Sequence, residues 1–494
     1  MKINTVDIFW IERLGKVILQ SVIFSNEICD KTDLFVRLTG EVYTETDILK
    51  LKNGASASTD TYMNLLDSRF WMRYTDISNC MLNVRYKGRG KIEIGTFNET
   101  GHHILESHKL QSDIPVDVSF DLEFKKYTGN IFFRCEADRE LTIHCAEYST
   151  ESICHNDTRL GIVFCTYHRH QDIKRNADTI LKSRFFDKNS DLYGKAEVVI
   201  VDNGRDMVMQ KSEHTELVYN ANTGGAGGFC RGISVITKPE KNVTDVLLMD
   251  DDVIFDAEAL YRLYAFLTFR KALYRDSVTA GRMFRKDKPW VQYTACEIWN
   301  SGNIKHIGYN NDMALYENIL DVNRGSGEYS GWWMCCFSAE YLSKNFPLPF
   351  FLHCDDVELG LRHGGTPIIL NGVQVWHETY EYRQNALITY YDMRNTLFVN
   401  EIMDLLRPEK ELSIWKEKIS KAHLDKDYNL EYMMIRAMYD YLKGLKWLCG
   451  IRPDKYHKKI SRRKFFVRYR NALMWRLTSH KYKKRFEKYL CDNA

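Results

Sequence analysis

The chain has 494 residues, of which 44% are hydrophobic and 27% charged. That is the composition of a globular protein with room for about three domains, and it excludes general disorder. With 69 basic and 66 acidic residues the net charge is only +3, so the overall balance does not call for nucleic acid as a partner.

Thirteen cysteines are scattered without a CxxC pair, which fits free thiols in a reducing cytoplasm better than a disulfide scaffold or a zinc site. At the amino terminus Glu12, Arg13 and Lys16 interrupt the apolar residues, and no segment reaches the ~20 apolar residues of a membrane span. The expectation is a cytoplasmic protein whose membrane contact, if any, is peripheral on the inner face.

The first 150 residues read as β-rich. Val116, Val118, Phe120, Leu122 and Phe124 alternate with Asp117, Ser119, Asp121 and Glu123, which is the period of a half-buried strand. Further strands are predicted at 82–86, 91–95, 130–135 and 141–145, with Gly129-Asn130 as a turn. This pattern predicts a β-sandwich without a catalytic constellation. Trp71 and Tyr74 could stack on a sugar, although a core role accounts for them equally well.

The pattern then changes to strand 161–164, helix 176–186 and strand 197–201, an order that implies a parallel βαβ unit. Asp202-Asn203-Gly204 is a turn-forming triplet at a strand end, placed for a ribose or base hydroxyl. After strand 216–219 comes the glycine-dense stretch 220–232, which is neither a Walker loop nor a clean GxGxxG. It reads as a flexible turn, or as a close backbone approach to an anion ahead of a helix starting near Arg231.

Asp250, Asp251 and Asp252 follow the apolar run Val246-Leu247-Leu248-Met249, and Leu260, Leu263, Tyr264 and Leu267 then have helical spacing. Three like charges at a strand end gain nothing from a core, so a cation, most simply a divalent metal, is expected to offset them. An acidic loop capping the next helix is the plainer alternative.

Farther on, Asp355-Asp356 forms a carboxylate pair whose proton affinity each partner raises for the other, or one or both cap a helix expected near Glu358. Trp332 and Trp333 follow Gly325, Gly327 and Gly331, an arrangement for a mobile loop carrying two planar faces, although adjacent tryptophans in a strand would point to opposite sides and one could be core. Residues 451–494 carry 15 Lys and Arg against 3 Asp and Glu, interleaved with Phe465, Phe466, Tyr469, Leu473, Trp475 and Leu477. That tail suits an anionic membrane surface or a solvated helical face.

The series Thr166-Tyr167-His168-Arg169, Val201-Asp202-Asn203-Gly204, 222–232, Asp250-Asp251-Asp252, Trp332-Trp333, Asp355-Asp356-Val357-Glu358 and Trp376-His377-Glu378 resembles inverting glycosyltransferases of the GT-A fold. It is most similar to the galactan-polymerising galactofuranosyltransferases. The resemblance implies an α/β GT-A (Rossmann-like) nucleotide-sugar domain over 156–400, an N-terminal β-sandwich over 1–155 and a helical, basic region over 401–494.

By that resemblance Thr166, Arg169, Asp202, Asn222, Gly228 and Asp251 bind the nucleotide-sugar. Asp250, Asp252 and His377 hold Mn²⁺ or Mg²⁺, and Asp356 is the base that deprotonates the acceptor. Glu297, Trp332, Trp333 and Asp355 contact the acceptor. The implied reaction moves galactofuranose from a UDP-sugar donor to a glycan or lipid-linked glycan, with no nucleic acid involved; for the N-terminal domain, scaffolding, self-association into a homo-oligomer and weak sugar binding are all open. Another nucleotide-activated hexose or rhamnose, a catalytically silent glycan-binding or assembly protein, and a nucleotidyltransferase are the competing functions. The chain is shorter than the long polymerising members, which favours single or short-repeat addition over processive synthesis.

Overall fold

The structure, a computed structural model, describes residues 16–209, 212–320, 326–379, 385–461 and 468–487. Of the features singled out in the sequence, Glu12, Arg13, Gly325, Phe465 and Phe466 lie outside the described residues.

Three long strands carry the amino-terminal region: β1 (Asn79–Asn98), β2 (Gly101–Glu123) and β3 (Asn130–Thr150). They run antiparallel in the order β2, β1, β3. Val17–Ser21, Leu49–Leu51, Ser56–Ser58 and Leu66–Asp67 pair along β3, and all nine strands share one hydrogen-bonded network. Inward residues such as Leu82, Val84, Ile92, Leu122, Phe133 and Ile143 alternate with outward polar ones, so β1 and β3 bury one face, while β2 is buried only at Leu110, Phe120 and Leu122.

The segments 82–86 and 91–95, predicted as separate strands, are one strand, as are 130–135 and 141–145. Gly88 and Gly90, between the first two segments, shift the register instead of ending the strand. At Gly88 (φ +115°) a Cβ would lie 2.0 Å from the carbonyl oxygen of Glu140, an approach only glycine permits.

The central sheet is built from β4 (Leu160–Thr166), β5 (Ala196–Asp202), β6 (Thr215–Tyr219), β7 (Asp245–Asp250), β8 (Thr279–Arg285), β9 (Cys335–Ser338) and β10 (Ile368–His377). The order is β6, β5, β4, β7, β9, β8, continued by Val291–Thr294 and Asn311–Asp312. Strands β4 to β7 are mutually parallel, and β9 lies antiparallel between β7 and β8. β10 pairs in parallel with β8.

Helices α1 (His170–Leu181), α2 (Gly224–Ile236) and α3 (Ala257–Phe269) follow β4, β6 and β7. Two helix starts correct the expectations. α1 begins six residues before 176, and the glycine-dense stretch forms the first two turns of α2 instead of a loop before Arg231. Close packing overrides the helix-breaking tendency of glycine here. A Cβ at Gly228 would sit 2.0 Å from Cys165 Sγ, and one at Gly232 would sit 2.2 Å from Val163 Cγ1.

One apolar core joins the N-terminal sheet to the central one, with Phe70 and Trp71 packed on Phe266 at ring separations of 5.4 and 6.3 Å. Trp71 and Tyr74 are thus packing residues. The same seam holds a buried ion pair, Arg262 with Glu258 at 3.1 Å, whose guanidinium also donates to the carbonyls of Ser21 and Met63. Removing one partner of such a pair costs about 3–5 kcal/mol because the other stays buried and charged.

At the carboxyl end, α4 (Asp355–His363) and α5 (Ala386–Ile402) lead to Pro408–Leu424, Tyr428–Tyr441, Pro453–Ser461 and Arg468–Arg485, which close over a third core. No described helix is long and apolar enough to cross a membrane. Leu473 and Leu477 of the last helix are exposed.

Candidate functional site

The carboxyl ends of β4, β5 and β7 open on one side of the sheet, which is where ligands of open α/β sheets bind. Asp250 ends β7, and Asp251 and Asp252 form the turn that follows. An antiparallel bridge then joins Ile254 to Trp376, with both N–H···O bonds at 2.8 Å. That bridge carries His377, the last residue of β10, to the acidic turn from 125 positions away in the chain. The His377 Nε2 lies 2.9 Å from Asp252 Oδ1, and the ligand atoms of Asp250, Asp252 and His377 all lie within 4.8 Å of one another.

The triplet is tied down from behind. Asn176 donates to the backbone carbonyl of Asp251 at 2.9 Å, Arg175 to that of Val253 at 2.8 Å, and Lys286 to that of Asp252 at 2.7 Å. Part of the cationic charge expected here comes from the protein itself. Arg169 pairs with Asp251 at 3.1 Å and also with Asp252. Burial nevertheless pushes the carboxyls of Asp250 and Asp251 up to about 6, with the charges of His377 and Arg169 respectively opposing the shift.

A second acidic cluster stands at the start of α4, which begins at Asp355 and not at Glu358. Asp355 and Asp356 therefore occupy its first turn and do not cap it from outside. Burial pushes Asp355 up to about 6. It raises Asp356 well above the usual carboxylate range, reinforced by the charges of Asp355 and Glu297 and opposed by the N–H of Val357.

Glu297, buried and hydrogen-bonded to His306 Nδ1 at 2.8 Å, is therefore part of this cluster's field. The first turn of α2 forms a wall of it, since a Cβ at Gly225 would lie 3.6 Å from Asp355 Oδ2. The turn before α4 has left-handed backbone at Phe351, His353 and Cys354. Side chains of α5 hold it: Arg394 donates to the Phe350 carbonyl at 2.6 Å, Asn395 to the Leu352 carbonyl at 2.7 Å, and Asp392 pairs with His353. Arg394 is fully buried, so its role is to brace this turn.

The remaining residues from the sequence fall as follows. Thr166 is buried at the end of β4, beside Asp251. Asp202 accepts the backbone N–H groups of Gly204, Arg205 and Met207, so its carboxylate first of all shapes the loop after β5. Asn222 Oδ1 accepts the Gly224 N–H at 3.2 Å at the start of α2, and Gly228 is buried against Cys165 within that helix.

The two tryptophans depart from the expectation of exposed planar faces, being 4% and 1% exposed. Trp332 packs edge-on against Phe229 at 5.0 Å, and Trp333 donates its indole N–H to Gly281 in the other core. Adjacent indoles this large are accommodated only by sending one to each side of the sheet. Lys286, Asn176, Arg175, His353 and Asp392 went unnoticed in the sequence, because each acts through a neighbour that only the fold supplies.

A family model described as Galactofuranosyltransferase 2 N-terminal matches residues 37–151. The galactofuranosyltransferase GlfT2 of Mycobacterium tuberculosis is 24% identical over 447 residues, covering 82% of this chain and 68% of that protein. Its counterpart from Mycolicibacterium smegmatis is 23% identical, covering 82% and 66%. The chain thus spans about two thirds of the length of the curated relatives it matches. Among solved structures, the mannosyltransferase PcManGT from Pyrobaculum calidifontis in complex with GDP-Man and Mn²⁺ aligns with 12% identity, over 68% of this chain and 89% of that one, at a TM-score of 0.32, too distant to carry an argument. By sequence the chain is a galactofuranosyltransferase-like glycosyltransferase.

Proposed function

We propose that this chain is a metal-dependent, inverting glycosyltransferase of the GT-A type that transfers galactofuranose from UDP-galactofuranose to a growing cell-surface glycan. The division into units at about residues 155 and 400 belongs to the same proposal. The observation that carries it is the meeting of two carboxylates and an imidazole, contributed by the ends of β7 and β10, beside a second, proton-retaining carboxylate pair at the start of α4.

The donor set fits a Mn²⁺ or Mg²⁺ ion, since carboxylates suit hard cations and a neutral imidazole suits manganese. Asp250, Asp252 and His377 would hold that ion, which when bound neutralises charge developing on a leaving diphosphate. Arg169, already within reach of Asp251 and Asp252, supplies a guanidinium to the same region and fits phosphate oxygens in a bidentate manner. Thr166 and Asn222 stand at the adjoining strand and helix ends, where a nucleotide would lie, and Gly228 keeps α2 close against β4.

Asp356 takes the acceptor hydroxyl proton. Its raised proton affinity, set by burial and by Asp355 and Glu297, is the property a general base needs near neutral pH. Asp355 and Glu297 flank the acceptor position, while Trp332, packed on Phe229, and Trp333, packed in the other core, act as structural support rather than as a sugar platform. The test is UDP release and glycan extension from UDP-galactofuranose with Mn²⁺, alongside a panel of other UDP-sugars. Asp252→Ala and Asp356→Ala are expected to abolish both products in folded protein. Full turnover in either variant would refute the proposal.

A further inference from the structure

A second group of metal-capable side chains lies on the outer side of Arg169, and none of the roles above uses it. His168 and His170 flank Arg169 at the start of α1, and Asp206 comes from the loop after β5. Asp206 Oδ2 is 2.8 Å from His168 Nδ1, and its Oδ1 is 2.9 Å from His170 Nε2. The ligand atoms of the three residues lie within 4.8 Å of one another, and all three residues are exposed.

The site is built by its surroundings. Asp202 clamps the loop that presents Asp206 through three backbone N–H groups. Gly204 leaves the room the cluster occupies, since a Cβ there would lie 2.5 Å from Asp206 Oδ1 and 3.0 Å from His168 Nδ1. His168 is held in left-handed backbone (φ 58°), a conformation uncommon for a residue with a side chain, with its ring 4.1 Å from that of Tyr167.

We propose that His168, His170 and Asp206 form a second cation site, selective for a borderline transition metal such as Zn²⁺, on the rim of the crevice. Two imidazoles and one carboxylate are the ligand mix of Zn²⁺, Co²⁺ or Ni²⁺ and disfavour Mg²⁺ and Ca²⁺. Donor atoms around a tetrahedral Zn²⁺ are about 3.3 Å apart, given metal–nitrogen bonds of about 2.0–2.1 Å. The 2.8 and 2.9 Å contacts, one to each oxygen of Asp206, are near that spacing, and all three ligand atoms lie within 4.8 Å of one another. Three protein ligands leave one position for water or an anionic ligand oxygen. Because Arg169 lies between the two histidines and reaches Asp251 and Asp252, an ion here would hold the segment that supplies that guanidinium.

The test uses the full chain stripped of metal and titrated with Co²⁺ by calorimetry and visible absorption, in parallel with Zn²⁺ competition against a chromogenic chelator. Wild type is expected to bind two ions. The double variant His168→Ala/His170→Ala and the single variant Asp206→Asn should each weaken one of them by at least about tenfold, the loss that even outer partners of metal ligands produce. Asp252→Asn should weaken only the other, and excess Mg²⁺ should leave the His168 site undisturbed. Unchanged titration in both rim variants, or loss of all binding in Asp252→Asn alone, would overturn the proposal. Since the side chains are exposed, unaltered thermal unfolding is expected and confirms that the variants are folded.

Discussion

The acidic turn after β7 and the carboxylate pair opening α4 face the same crevice, and burial raises the proton affinity of both, yet they are equipped for different cargo. Around Asp250, Asp251 and Asp252 the fold places Arg169, Lys286 and His377, with the backbone of the turn pinned by Asn176 and Arg175. Around Asp356 it places more negative charge, from Asp355, Glu297 and Asp250. Cations beside Asp250 and Asp251 oppose the rise that burial causes and so favour the charged form that suits a metal, whereas at Asp356 the neighbouring carboxylates add to that rise and favour the proton. Burial alone does not decide which function an acidic cluster serves; the sign of the neighbouring charge does.

The sharpest way to break this contrast is to neutralise one member of each cluster. Asp252→Asn is expected to lose Mn²⁺ binding and turnover together. Asp356→Asn is expected to keep Mn²⁺ affinity while turnover falls by about 10²–10⁴-fold, the usual contribution of a general base. Calorimetry with Mn²⁺ and UDP-release kinetics on the same preparations measure both quantities. Equal loss of metal affinity in the two variants would mean that the clusters are one site.

A smaller effect is expected where α2 packs on β4, beside the two clusters. Gly228→Ala drives a methyl into Cys165 Sγ, with an overpacking cost of about 1–3 kcal/mol. Thermal unfolding should show that loss, and adding Cys165→Ala should restore part of it. No recovery in the double variant would locate the strain elsewhere.

The pH dependence of stability distinguishes the clusters from ordinary surface acids. Asp355 has a folded value of about 6 against 3.8 for the free carboxyl, so the folded state binds the proton more tightly. Its stabilising contribution is complete below pH ~3.8 and is lost as pH rises through about 6. Asp355→Asn should therefore flatten the pH–stability curve between these limits, as read by denaturant unfolding at several pH values.

The smallest effect expected is that of Glu297→Gln. Transfer requires Asp356 deprotonated, so activity should fall as the solution is acidified. Removing the Glu297 charge should move that acid limb to lower pH without altering Mn²⁺ affinity. An unmoved limb would show that Glu297 does not act on the base.

Much of the central sheet was legible in the chain alone. Strands β4, β5 and β7 are short, almost wholly buried and largely apolar runs followed by turn or acidic residues, and β6 is a shorter, half-buried one, so hydrophobic period and punctuation identify them without tertiary knowledge. The acidic triplet and Asp355-Asp356 were likewise visible, because local clusters of charge at strand and helix ends are written in consecutive residues, whereas His377 was singled out only through the family resemblance. The N-terminal strands were visible as alternation but not in length, since a glycine that bends a strand and a glycine that ends one look alike until the partner strand is known.

What the sequence determined by itself, then, is which residues bear chemistry and which elements carry them. Tertiary structure alone decided that β9 runs antiparallel between β7 and β8, that β10 returns alongside β8, and that the Ile254–Trp376 bridge sets His377 against Asp252. It also turned an apparent glycine loop into a helix and two apparent sugar platforms into core. The physical reason is common to all of these. Helix starts, side-chain exposure and charge compensation depend on neighbours remote in the chain, and a linear pattern records only the residue's own half of each contact.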